Sequence, residues 1–273
     1  MTRPILQAQG LQKRFGAIVA ASDMTVDIAE HTVVGLIGTN GAGKTTFINM
    51  ITGYLKPDVG TIIYDGTDIT PMQPRQITRL GVCRSFQIPQ LYDTLTVRDN
   101  LVVGLGVVLR NSRKSWLAPT PRTVPGYDGN LWEAADTMLQ RFGLSEHSDQ
   151  LAGVLPEGVR KLLDIAMALL SQPKILLLDE PTSGVSAEEK FDIMDRVIEV
   201  VRAQNVTVLF VEHDMDIVKR YAERVLAFYA GRILADGKPD EVLTDPQVLL
   251  HVVGMPQNPP DQAATPAGAG QGD

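Results

Sequence analysis

Two short tracts hold the residue types on which phosphate chemistry depends. Gly38-Thr-Asn-Gly-Ala-Gly-Lys-Thr45 has the P-loop spacing, a glycine and four residues before Gly-Lys-Thr. Gly38, Gly41 and Gly43 let the backbone bend so that successive N–H groups point inward at phosphate oxygens, and the helix that follows adds its positive N-terminal end. Lys44 supplies a mobile point charge for β- and γ-phosphates, and Thr45 supplies a hydroxyl ligand for Mg²⁺. Asn40, Ala42 and Thr46 complete the candidate nucleotide-binding set. The second tract is Ile175-Leu-Leu-Leu-Asp179-Glu180. An apolar strand ending in Asp179 puts a carboxylate at the carboxyl edge of a sheet, near the phosphates, where it can hold Mg²⁺ through water. Glu180 can orient or deprotonate an attacking water, help typically worth about 10²–10⁴-fold.

Three single residues are open to two readings each. Gln87, in Ser85-Phe-Gln-Ile, has an amide oxygen that can ligate Mg²⁺ or the attacking water, although a lone glutamine is ordinarily a surface residue. His213 closes an apolar stretch, Val211-Glu-His-Asp, where an imidazole can donate to a γ-phosphate oxygen or do nothing of the kind. Phe15 can stack on an adenine ring or serve as the core aromatic of a hairpin.

The elements that must position these residues follow from periodicity. Short strands are expected at 5–8, 24–28, 33–37 and 61–64, with buried strands at 175–179 and 206–212. Helices are expected at 43–52, 97–109, 131–142, 159–170 and 187–203, the last with Phe191, Met194, Ile198 and Val201 on one stripe. Strand, helix and strand in that order make a right-handed crossover and a parallel sheet, so the fold class is α/β. The helical section, about 90–170, interrupts the sheet as a separate lobe and contains a long insertion, 110–130, rich in Pro, Gly, Arg and Ser. The tail 255–273 lacks apolar periodicity and is expected to be disordered.

Composition excludes several classes. Of 273 residues, 25 are Lys or Arg and 32 are Asp or Glu, a formal net charge of -7 that argues against a general nucleic-acid coater. The single cysteine, Cys83, excludes an internal disulfide framework and a Cys-cluster metal site. The most continuous apolar stretch, 101–109, falls far short of the roughly 20 residues of a spanning helix. The chain is therefore expected to be soluble, with any membrane role exercised through a partner.

The motifs occur in one order: Phe15, the loop to Thr45, Gln87, Leu155-Pro-Glu-Gly158, Asp179-Glu180, then His213. That order, from about residue 5 to 254, resembles the nucleotide-binding subunits of ABC transporters. The resemblance implies a P-loop ATPase with a parallel core sheet, an antiparallel β subdomain and an inserted helical subdomain, all within 1–254. It implies Phe15 as adenine stacker, Lys44 and Thr45 at phosphate and Mg²⁺, Gln87 as Q-loop residue, Asp179 as Walker B acid, Glu180 as catalytic base and His213 as switch histidine. Leu155, Pro156, Glu157 and Gly158 would form the signature that grips ATP bound to a second chain. The tracts Ile51-Thr-Gly-Tyr-Leu-Lys-Pro, Arg84-Ser-Phe-Gln and Leu95-Thr-Val-Arg-Asp-Asn-Leu, with the insertion after them, are most similar to importers of the branched-chain amino-acid type. The expected partners are a second ATPase chain, the same or different, two membrane permease subunits and, indirectly, a substrate-binding protein, with no nucleic acid. The expected place is the cytoplasmic face of the inner or plasma membrane. Rivals are an exporter or lipid-extraction ATPase, a soluble switch protein such as a GTPase or DNA-associated ATPase, and a catalytically silent regulatory subunit. The absence of an Asn-Lys-x-Asp tetrapeptide and the presence of Glu180 and His213 weigh against the last two.

Three motifs depart from the family pattern. Thr39 replaces the usual proline, and Pro156 and Glu157 stand where the signature has serine and glycine. Ser186 stands where the D-loop has aspartate, and Ser186-Ala-Glu-Glu189 also fits a helix capping box. With the signature helix expected to begin at Val159, Glu157 either brings repulsive charge towards the partner's nucleotide or, with Pro156, only shapes the loop.

Overall fold

The computed structural model describes residues 3–85, 87, 89–111, 124–127 and 129–254. The tail 255–273 and most of the expected insertion lie outside the described residues. Two sheets pack face to face. Strands β1 (Pro4–Phe15) and β2 (Ile18–Ala29) form a long hairpin, and β4 (Val59–Tyr64) and β5 (Thr67–Asp68) extend it into an antiparallel sheet of order β2-β1-β4-β5. Between β2 and β4 the chain leaves for β3 (Val33–Gly38) and helix α1 (Lys44–Ile51). The second sheet has the order β10-β9-β3-β8-β7-β6, with β6 (Val82–Arg84), β7 (Ile175–Asp179), β8 (Thr207–Val211), β9 (Arg224–Tyr229) and β10 (Arg232–Gly237). Every pairing from β6 to β9 is parallel, and β10 closes the edge antiparallel.

Alternation along the parallel strands explains the layering. Ile175 and Leu177 of β7, and Leu209 and Val211 of β8, face the hairpin sheet and α1, where they join Leu6, Met24, Ile28 and Phe47 in one apolar cluster. Leu176, Leu178, Val208 and Phe210 face the other way. There they meet α3 (Val97–Asn111), α4 (Leu131–Phe142), α5 (Glu157–Leu169), α6 (Glu189–Ala203) and α7 (Met215–Tyr221). That second cluster runs without a break from Leu101 and Met138 on the helices to Leu178 on the sheet. Short helices α2 (Pro74–Leu80) and α8 (Pro239–Thr244) sit at the periphery.

Strands β6 and β7 are neighbours, yet residues 85–174 lie between them, so the whole helical section is one long connection inside the parallel sheet. The insertion is less detached than its composition suggests: α3 runs on to Asn111, and Val124 and Tyr127 are buried in the helix-side cluster. Helix α4 matches expectation, with Asn130 accepting from the Trp132 and Glu133 N–H groups in a capping box. The helix expected at 159–170 starts two residues early, at Glu157, with Pro156 as its extended N-cap. A carboxylate in the first turn complements the helix dipole, which is why Glu157 joins the helix instead of preceding it. The sequence reading missed β5, β6, β9, β10, α2, α7 and α8, all short, with β6 offering only three residues after Gly81.

Phe210 is fully buried in the central strand between two parallel neighbours. Phe210→Ala should lower unfolding free energy by about 3–5 kcal/mol, because both transfer and cavity terms apply. Urea unfolding of the purified chain measures it.

Candidate functional site

Parallel strands deliver their carboxyl ends to one edge. Leu36 of β3 and Asp179 of β7 both stand opposite Val211 of β8, so the loops after Gly38, Asp179 and Val211 emerge side by side. The loop after β3 is compact because two of its residues must be glycine. At Gly38 (φ 152) a Cβ would lie 2.6 Å from the Phe228 carbonyl oxygen, and at Gly43 (φ 112) one would lie 2.8 Å from Met24 Cε. Gly43 is also the N-cap of α1. Lys44 then turns back over the loop, 6% exposed, donating from Nζ to the carbonyls of Gly38 (2.5 Å) and Thr39 (3.1 Å). Burial lowers its pKa, and the charges of Glu180 and Asp179 oppose that shift. An ammonium held there with its charge incompletely compensated is a strong attractor for an anion.

Glu180 stands at the centre of the arrangement. Its backbone is left-handed (φ 51), with the N–H bonded to Val211 O at 3.1 Å. Gln87 Nε2 donates to its Oε2 at 2.9 Å, and His213 Nε2 lies 3.2 Å from its Oε1. Beneath it, Asp179 is held by Arg84 at 2.5 Å, and Arg84 also donates to Asn49 of α1 at 2.8 Å. Glu212 is buried against Thr182, whose N–H and hydroxyl both donate to it. Burial pushes the Glu212 carboxyl pKa up, against those hydrogen bonds.

A cleft of about 750 Å³ opens over this edge, lined by Gly38, Thr39, Asn40, Thr45, Gln87, Glu180 and His213, with Met215, Val252 and Val253 as its apolar wall. A recess of about 190 Å³ adjoins it, bounded by Asn40 through Thr46, Gln87, Asp179, Glu180, Val211 and His213. The Thr45 hydroxyl, the Gln87 amide and the Asp179 carboxylate thus border one small space. Hard oxygen donors of this kind fit Mg²⁺.

The remaining candidates lie elsewhere. Phe15 is at the hairpin end of β1, 51% exposed, with Lys13 Nζ 5.8 Å from its ring centre, so it is not a core aromatic. Leu155 is buried, Pro156 and Glu157 are exposed and Gly158 is buried, and none of the four lines either cavity. Ser186 makes the capping box its sequence suggests: its hydroxyl donates to Glu189 Oε2 at 2.8 Å and accepts from the Glu189 N–H at 3.3 Å. Arg84, Glu212 and Lys161 were not singled out as site residues from sequence. For Arg84 the available signal was a charge inside an apolar strand end. For Lys161 it was a lysine on the buried stripe of α5.

The ABC transporter family model matches residues 21–183. The chain belongs to the ABC transporter family, and its α/β fold is that of the ATP-binding cassettes. The high-affinity branched-chain amino acid transport ATP-binding protein LivG of Salmonella typhimurium is 37% identical over 254 residues, covering 93% of this chain and 99% of that protein. BraF of Pseudomonas aeruginosa, described in the same words, is 35% identical with the same coverage. Among solved structures, MJ1267, an ATP-binding cassette of an ABC transporter, superposes with a TM-score of 0.78 at 33% identity, covering 91% of this chain and 98% of that one.

The Arg84–Asp179 pair is largely shielded from water, the side chains being 12% and 15% exposed. Removing one member strands the other charge. Arg84→Met should therefore cost about 3 kcal/mol of unfolding free energy, measured by urea denaturation beside an Arg84→Lys control that keeps the charge.

Proposed function

We propose that this chain is the ATP-hydrolysing subunit of a membrane importer for branched-chain amino acids. The observation that carries the reading is the convergence of Lys44, Gln87, Asp179, Glu180 and His213 on one cleft, with Gln87 and His213 both at the Glu180 carboxylate. The full-length similarity to LivG and BraF supports the cargo class.

In this reading the P-loop N–H groups and Lys44 hold the β- and γ-phosphates, and exposed Phe15 offers a face to the adenine. Glu180 accepts a proton from water as the water oxygen bonds to the γ-phosphorus and the bond to the β–γ bridging oxygen breaks, leaving ADP and phosphate. His213 orients the Glu180 carboxylate and donates to a γ-phosphate oxygen, and Gln87 orients the water. Thr45, Gln87 and Asp179 would hold Mg²⁺, which when bound neutralises charge on the phosphate oxygens.

Residues 1–254 act as the nucleotide-binding unit, and the permease docks near Gln87 to Asn100. Among the described residues no helix is long and apolar enough to cross a membrane, which accords with peripheral attachment through two permease subunits on the cytoplasmic side. A second ATPase chain, the same or different, contributes its signature residues to each site. Leu155–Gly158 of this chain would do the same for its partner.

Two substitutions separate binding from turnover. Glu180→Gln keeps shape but removes the base, so nucleotide titration should be unchanged while ATPase of the assembled complex falls by about 10²–10⁴-fold. Lys44→Ala should weaken ATP binding itself, because a charge-assisted phosphate contact is lost. Uptake of labelled leucine, isoleucine and valine into proteoliposomes should stop with Glu180→Gln. Wild-type uptake by that variant would refute the assignment of the base, and uptake of other solutes alone would refute the cargo.

A further inference from the structure

Lys161 sits in the second turn of α5, 4% exposed, where an ammonium must be compensated or displaced. Its Nζ donates to Ser183 Oγ at 3.0 Å, to the Glu180 carbonyl at 3.2 Å and, at longer range, to the Gln87 carbonyl at 3.4 Å. Those acceptors belong to the segment after β7 and the segment after β6. All three donor directions of one ammonium are therefore spent on the backbone and side chains around the proposed base and its glutamine partner.

The contact with Glu180 matters because of the conformation there. Glu180 is a non-glycine residue at φ 51, a state that persists only where the surroundings over-determine it. Its N–H is bonded to the Val211 carbonyl, and its own carbonyl accepts both from the Ser183 N–H at 3.1 Å and from Lys161 at 3.2 Å. Without Lys161, the backbone of the residue whose carboxylate meets Gln87 and His213 keeps its bonds to Val211 and Ser183 but loses the charge-assisted one, the only one of the three that ties it to α5.

Several carboxylates surround Lys161. Glu157 stands one turn earlier on α5, with Glu212, Asp164 and Glu180 beyond it, and together they oppose the lowering of its pKa by burial. Glu157 thus has a favourable neighbour within its own helix, whatever it meets across a dimer.

We infer that Lys161 is a positioning residue for hydrolysis: it holds the Glu180 peptide and the Gln87 segment in register, and it ties them to the helix whose start carries Leu155–Gly158. The inference rests on the ATPase reading above. Any shift of α5 caused by events at residues 155–158 is then transmitted through one side chain to the chain's own base.

The experiment uses the full chain and the complex assembled with its permease subunits. Lys161→Met keeps the aliphatic stem and removes the donors. Affinity for a fluorescent ATP analogue should stay within about twofold while kcat falls by about 10–100-fold, as expected when a reacting group is misplaced by about an ångström. Lys161→Arg, which keeps charge and donors, should recover part of the loss. In a Glu180→Gln background, Lys161→Met should cost nothing further in single-turnover hydrolysis, because the group it positions is already gone. Ser183→Ala, which removes one acceptor and leaves the Lys161 ammonium on its two carbonyl partners, should lower kcat severalfold with affinity unchanged. That variant decides the matter if Lys161→Met does not fold. Wild-type kcat in Lys161→Met or in Ser183→Ala overturns the inference, as does an undiminished further loss in the Glu180→Gln background. A wild-type complex that hydrolyses no ATP would instead overturn the underlying reading.

Discussion

The structure is organised around a buried ammonium at the carboxyl edge of a parallel sheet. Lys44 is withdrawn from water onto two loop carbonyls, with the carboxylates of Asp179 and Glu180 close enough to act on it through space. A positive charge in that position is costly unless an anion arrives. Everything near it works to keep the cost bounded while the cradle stays open. Gly38 and Gly43 allow the loop to curl tightly around Lys44. Arg84 occupies Asp179, so this carboxylate is fixed beside Lys44 without closing over it. The short helix α1, capped by Gly43, turns its N-terminal end to the same space.

The sheet supplies the shared edge for this arrangement. β3, β7 and β8 are adjacent, parallel and nearly fully buried, so their ends cannot slide relative to one another without breaking two apolar clusters at once. The site is thus assembled from loops, while its precision comes from strands. The long connection from 85 to 174 leaves this sheet at Arg84 and returns to the neighbouring strand, which places Gln87 at one end and α5 near the other. A segment that both starts and ends at the site is suited to carry a mechanical signal from elsewhere on the molecule.

Two buried networks set the site's internal rigidity. Thr182 and Glu212 tie the loop after β7 to the loop after β8, and Lys161 ties the same loop to α5 and to Gln87. Hydrogen bonds of this type are worth little net in water but much more when desolvated and charge-assisted. The loops around Glu180 are therefore held by several directional contacts, and Glu180 keeps a left-handed backbone that a looser loop would relax.

The P-loop, the strand ending in Asp179-Glu180, helix α4 and the buried strand before His213 were all legible in the sequence, because each depends on local spacing: a glycine pattern, a capping box, a run of apolar residues. The same locality explains what was misread. Whether α5 begins at Glu157 or Val159 turns on a balance between Pro156 and the helix dipole, and the three-residue β6 exists only because β7 lies beside it. For Phe15, open to two readings in sequence, the hairpin end that leaves it in solvent removes the core-aromatic one. Arg84 on Asp179, Glu212 on Thr182 and Lys161 on Glu180 join residues 19 to 95 positions apart. Their partners are chosen by burial. A charged side chain carried into the core by its element must find compensation there, and only the packed tertiary structure determines which groups are within reach.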